Sequence, residues 1–190
     1  MKNEAFSNLV EGYRHFRNNY LSEQYVAYRL WATKSQKPRI MMIACSDSRV
    51  NPVILTHAGL GDVFMVNNVA NLIPPYKEGK DTHHSTSSAL DFALTELEVE
   101  EIIILGHSQC GGIKALMNIN KTASGTYSFI EPWVQIAAKA KEKVQSNYPE
   151  CSHAEQTTLC EKEALLVSLE NLETFPWVKS ALEQGKLRTH

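Results

Sequence analysis

Apolar residues recur at helical spacing through the first forty positions, predicting two helices, 4–19 ("EAFSNLVEGYRHFRNN") and 22–35 ("SEQYVAYRLWATKS"), with Ser22 as N-cap of the second. Pro38 interrupts that pattern, and "RIMMIAC" (39–45) reads as the first buried strand. A helical piece at 50–59 ending at Gly59 and a second strand, "DVFMVNNVA" (62–70), come next. The Pro and Gly content of "NLIPPYKEGKDT" marks a loop. A 3.6-residue period then returns over 83–98, placing Ala89, Leu90, Ala93, Leu94 and Leu97 on one face behind Thr82 as N-cap. "EEIIILG" (100–106) is an unbroken β-branched run typical of a strand covered on both faces. "CGGIKALMN" opens a further helix, Pro132 suits the first turn of one reaching about Ser146, and two more span 152–172 and 176–184.

Strands separated by helices predict an α/β fold with a central, mainly parallel sheet of about four strands, flanked by helices joined through right-handed crossovers. The chain reads as one domain over 1–190: an N-terminal helical arm (1–36), a chemical core (37–118) and C-terminal helices (119–190). At 190 residues, 43% hydrophobic and 21% charged, it is long enough to bury a sizeable core. A formal charge of −2 gives no general attraction to nucleic acid or anionic lipid. The apolar runs are too short to span a bilayer, and the N-terminus lacks the apolar core of a signal peptide, so a cytoplasmic location is expected.

In such sheets, sites form at the carboxyl ends of strands. Both "ACSDSR" and "GHSQCGG" fall there, bringing Cys45, His107 and Cys110 toward neighbouring strand ends. Two thiolates and an imidazole form a soft ligand set for zinc, and three protein ligands leave one tetrahedral position open, as in catalytic sites. Taken singly, Cys45 also fits a small buried hydrophobe and His107 a helix-capping loop residue; their joint position with Cys110 favours the metal. Asp47 stands beside the first cysteine, either to bind the metal or to accept a hydrogen bond from a water on it, and Arg49 would keep it ionised. Cys151 and Cys160, in "CSHAEQTTLC", read as ordinary free thiols, and His57, His83 and His84 as surface histidines.

"CSDSR" and "GHSQCGG", joined by "GDVFMVNNVANLIPPY", resemble the β-class carbonic anhydrases, densely over about 36–118 and loosely over the flanking helices. The resemblance implies a zinc lyase that interconverts carbon dioxide and bicarbonate by zinc-bound hydroxide, with one Zn2+ per subunit on Cys45, His107 and Cys110. It also implies Asp47 and Arg49 as the catalytic dyad, with Asp47 joining the metal only in a closed form, disfavoured near neutrality. A homodimer or a dimer of dimers follows, with each cleft at a subunit interface, and neither nucleic acid nor membrane as partner. Gln36, Phe64 and Phe92 match the residues that line the carbon dioxide slot in plant-type members, Phe92 standing where they have tyrosine. Gly111, at a helix N-terminus that favours negative charge, would help to hold bicarbonate.

Other departures carry expectations. Glu96 replaces a histidine that some relatives use to pass protons, so proton export is open between Glu96, water and buffer. Asn67 and Met42 replace the arginine and tryptophan of an accessory bicarbonate site, so no such site is expected. Relatives continue past "KLRTH" with a segment forming an additional edge strand, which is expected to be absent. Two rivals stand beside this reading: a hydrolase of carbon disulfide or carbonyl sulfide on the same scaffold, and a noncatalytic zinc-bearing interaction protein. A phosphatase reading of Cys45 and Arg49 fails because their loop is too short and acidic to cradle phosphate.

Overall fold

Four parallel strands organise this computed structural model: β1 (Ile40–Cys45), β2 (Val63–Asn68), β3 (Glu101–Leu105) and β4 (Arg188–Thr189), in the order β2–β1–β3–β4. The structure describes residues 4–20, 30, 32–78, 84–119 and 129–190. Residues 37–190 form one compact unit that holds the whole sheet, and residues 1–36 form another. In the latter, α1 (Glu4–Tyr20) carries Glu4 in its first turn and Arg17 in its last, each complementing the helix dipole. Its Phe6, Leu9 and Tyr13, at helical spacing, are exposed. Most of the second predicted helix, with Ser22, lies outside the described residues.

β1 is the centre of the sheet. Its last five residues are buried, as expected of a strand flanked by neighbours and covered on both faces. Its register pairs Ala44 with Asn67 of β2 and with Leu105 of β3. In β3, burial alternates instead: Ile102 and Ile104 are buried, whereas Ile103 and Leu105 are half-buried. The isoleucine run therefore overstated the cover on one face. β4 is a two-residue edge strand within "KLRTH". Backbone bonds from Arg188 N to Glu100 O (3.0 Å) and His190 N to Ile102 O (2.9 Å) fix it, and Glu101 pairs with both Arg188 and His190.

The helices are α2 (Pro52–Thr56), α3 (Ser85–Thr95), α4 (Gly111–Asn118), α5 (Ile130–Val134), α6 (Ala138–Asn147), α7 (His153–Leu172) and α8 (Pro176–Glu183). Asn51 caps α2 by accepting from Val53 N and Ile54 N, and Pro52 opens the helix, where its missing N–H costs nothing. α3 starts two residues later than the periodicity predicts, with His84 at the N-cap; Thr82 and His83 lie outside the described residues. It stops at Thr95, short of the predicted end, and Glu98 follows in a left-handed conformation. The helix expected to run unbroken to Ser146 is divided, α5 and α6 being joined by a 3-10 turn at Gln135–Ala137. Ser152 and Glu155 form a reciprocal capping box on α7.

Buried side chains gather in two groups. One joins Cys45 and Cys110 to residues of α4, α6 and α7, among them Ile113, Leu116, Val144, Cys160 and Ala164. The other joins Met41, Ile43 and Ile102 to Leu90 of α3, Leu172, and Phe175 and Val178 at α8. No helix among the described residues is long and apolar enough to cross a membrane.

Candidate metal centre

Because β1 and β3 are parallel neighbours, the end of β1 and the loop leaving β3 emerge at the same edge of the sheet. Cys45 is the last residue of β1; His107 lies on that loop, and Cys110 is the N-cap of α4. Their ligand atoms all lie within 4.8 Å of one another, and the two sulfurs are 4.0 Å apart. Both thiols are almost fully buried, Cys45 at 4% and Cys110 at 2% exposure.

The imidazole is arranged to match. His107 Nδ1 sits 2.9 Å from the Ser108 carbonyl oxygen, which can only accept, so Nδ1 carries the proton. Nε2 then has a bare lone pair, and it is buried without a hydrogen-bond partner. Ala70 N donates to Cys45 Sγ at 3.3 Å, from a turn that ends β2 early because Ala70 and Asn71 are left-handed. Burial, opposed by the Ile113 and Gly112 amides and aided by the adjacent Cys45, pushes the Cys110 thiol up to about 11. Two neighbouring buried thiols beside an unused imidazole lone pair suit a soft divalent cation such as zinc.

Asp47 and Arg49 lie on the turn after β1. Arg49 donates through Nε to Asp47 Oδ1 (2.9 Å) and through Nη2 to Oδ2 (2.7 Å), and its backbone N–H reaches Oδ1 at 3.0 Å. The guanidinium bonds first, and the Arg49 amide second, hold the Asp47 carboxyl well below the usual carboxylate range. Arg49 Nη2 also donates to Gln109 O at 3.0 Å, tying the pair to the loop that bears His107 and Cys110. The three-residue donor group does not include Asp47, which faces Arg49 here.

The remaining sequence candidates divide. Phe64 and Phe92 form an aromatic pair with ring centroids 5.9 Å apart, and Phe92 is 44% exposed. Gly111 is the exposed first residue of α4; Gln36 is exposed at the end of the first unit. Asn67 donates to Cys45 O at 3.2 Å, Met42 is buried, and Glu96 is exposed at the C-cap of α3. His57 and His84 are exposed. Cys151 and Cys160 are free thiols, and burial pushes Cys160 up to about 12.

Sequence reasoning missed four contributors. Ala70 reaches Cys45 as described. Glu161 on α7 accepts from Cys110 N at 2.8 Å. Trp133 Nε1 donates to Val69 O at 2.7 Å, holding the turn that carries Ala70. Gly112 is needed for close approach, because a Cβ there would lie 2.8 Å from Ala70 Cβ and 2.8 Å from Val69 Cγ1. The glycine doublet was the only signal of the four visible in the sequence. A groove of about 890 Å³, lined by Tyr76, Trp133, Phe175 and Trp177 among others, includes neither the three metal-ligand candidates nor Asp47 and Arg49.

A family model described as carbonic anhydrase matches residues 40–190. The chain is 41% identical to β carbonic anhydrase 3 of Arabidopsis thaliana over 187 residues, 98% of this chain and 71% of that protein. It is also similar to the solved structure of the β-carbonic anhydrase CcaA, with TM-score 0.89 and 32% identity over 98% of this chain and 82% of the other. Two tetrameric β-carbonic anhydrases from Sordaria macrospora share the fold, at TM-score 0.69 and 23% identity over 98% of this chain and 86% of theirs.

Proposed function

This chain belongs to the β-class carbonic anhydrase family, and from that premise we propose that it catalyses the reversible hydration of carbon dioxide to bicarbonate and a proton, with one Zn2+ held by Cys45, His107 and Cys110. The observation that carries the reading is that Cys45, His107 and Cys110 bring their ligand atoms within 4.8 Å of one another while His107 Nε2 is buried without a hydrogen-bond partner. Bound zinc would supply a Lewis acid that makes a hydroxide nucleophile available near neutral pH.

The protein's own residues supply orientation. Asp47 Oδ1 receives two N–H donors from Arg49 and Oδ2 one, so Oδ2 retains acceptor capacity for the hydrogen of the attacking water. Arg49 keeps that carboxylate ionised and fixed, so it accepts without itself taking the proton that leaves for solvent. The N-terminal amides of α4, starting at Gly111, favour the anionic product. The Phe64–Phe92 pair supports an apolar wall for carbon dioxide, and the exposure of Phe92 is consistent with a second subunit closing the slot.

Metal analysis joined to a stopped-flow hydration assay tests the proposal. About one zinc per chain and a Cys110→Ser variant that has lost metal and activity are expected. A purified protein without zinc, a Cys110→Ser variant as fast as the parent, or turnover of carbonyl sulfide without turnover of carbon dioxide would overturn it.

A further inference from the structure

One peptide unit in the metal-binding loop is gripped at both ends by charged side chains. Its N–H belongs to Cys110 and donates to Glu161 Oε1 at 2.8 Å. Its C=O belongs to Gln109 and accepts from Arg49 Nη2 at 3.0 Å. A carboxylate on the N–H and a guanidinium on the carbonyl both strengthen along the peptide dipole, making two charge-assisted bonds to one rigid plane. We propose that Glu161 is a positioning residue: through the Gln109–Cys110 peptide it aims the Cys110 sulfur and braces Arg49, and hence Asp47. The proposal rests on the zinc reading above.

Three features of the loop make such a hold necessary. Gln109 is left-handed, with φ 55°, a conformation that a non-glycine residue keeps only when its surroundings impose it. Cys110 is the N-cap of α4, and although the Ile113 and Gly112 amides face its sulfur, neither makes a capping hydrogen bond to it. The loop is also short, leaving β3 at Leu105 and entering α4 at Gly111, so an error at one peptide passes directly to the ligand.

Glu161 is suited to the task. It is half-buried on α7, a twenty-residue helix with a complete capping box at its N-terminus. The same helix packs Cys160, Ala164 and Val167 into the core group that contains Cys45 and Cys110. The carboxylate therefore stands on a firm platform directly behind the ligand. The chain runs Glu161, Cys110 N–H, Gln109 C=O, Arg49, Asp47, and it joins the metal-holding group to the dyad without passing through the metal.

Glu161→Met keeps the size of the side chain and removes the acceptor; Glu161→Gln keeps an acceptor oxygen and removes the charge. For the Met variant, zinc affinity measured by chelator competition should fall about ten- to hundredfold, the usual effect of losing an outer partner of a metal ligand. Its kcat should fall with little change in KM, the absorption bands of the Co2+-substituted protein should shift, and the Cys110 amide should exchange faster. The Gln variant should return to within about threefold of the parent in affinity and kcat, with its cobalt bands restored. A Met variant indistinguishable from the parent in affinity, kcat and cobalt spectrum overturns the proposal. So does a Gln variant as impaired as the Met variant. Should the Met variant fail to fold, a Gln variant with a fast-exchanging Cys110 amide overturns it, and one with a protected amide and parental affinity supports it. Zinc content and hydration by the parent in the same series judge the zinc reading separately, while amide exchange in the metal-free proteins still judges Glu161.

Discussion

The Ser108 carbonyl beside His107 Nδ1 assigns the imidazole proton, and with it the atom left to bind a metal, the buried and unpartnered Nε2. A similar local assignment governs Asp47. Its carboxyl is held below the usual carboxylate range by Arg49, so it stays ionised throughout pH 6–9 and does not itself titrate there. Hydration activity should therefore climb across that range as the nucleophile loses its proton, and a flat stopped-flow profile contradicts the proposed chemistry. Asp47→Asn should keep the rise but lower its plateau about ten- to hundredfold, because the acceptor loses its charge while Arg49 loses its partner. The sign of the stability linkage follows from the depressed value. The Asp47–Arg49 contribution is complete above the unfolded aspartate pKa of about 3.9 and disappears as pH falls below it. These five residues were legible because "CSDSR" and "GHSQCGG" are compact segments that each end a strand. Glu161 was not, because its partner is fifty-one positions away and only the docking of α7 brings them together.

Among the elements, α4 and the Val69–Asn71 turn approach so closely that the donor to Cys45 depends on one missing side chain. The Ala70 N–H reaches Cys45, and Gly112, in the first turn of α4 just after Cys110, lies directly against Ala70 and Val69. Gly112→Ala would set a methyl 2.8 Å from Ala70 Cβ, an atom with no rotamer by which to escape. It should destabilise the fold by about 1–3 kcal/mol in chemical denaturation, the ordinary cost of overpacking. Gly111→Ala, where an added Cβ meets nothing within 4 Å, serves as the comparison and should leave the denaturation midpoint nearly unchanged. The neighbouring elements show which signals the sequence carries. β1 and β3 were legible as apolar runs bounded by Pro, Gly and charge. β4 was not, since two polar residues become a strand only through backbone bonds to β3 and the pairing of Arg188 and His190 with Glu101. The left-handed residues at Ala70 and Glu98 likewise ended elements where periodicity alone would have continued them.

At the scale of the whole molecule, β2 lies at one end of the strand order. Among the described residues it pairs on one side only, with β1, and its sequence VFMVNN carries none of the charges or prolines by which monomers protect such edges. Met65 on that strand is 38% exposed, and the preceding segment exposes Val53, Ile54, Leu55 and Leu60 at 40–70%. Single exposed apolar residues are ordinary, but three in succession are the kind of patch that association covers. Self-association, the assembly that the resemblance in sequence implies, would cover these residues and Phe92 together. Light scattering after gel filtration should therefore give a dimer or a multiple of it at micromolar concentration. The double substitution Ile54→Glu, Leu55→Glu places two charges on α2 without touching a buried side chain. If the slot for carbon dioxide is completed across that surface, the variant should become monomeric and lose hydration activity together, while its bound zinc remains. A monomeric parent with full activity would show instead that Phe64 and Phe92 serve carbon dioxide within a single chain.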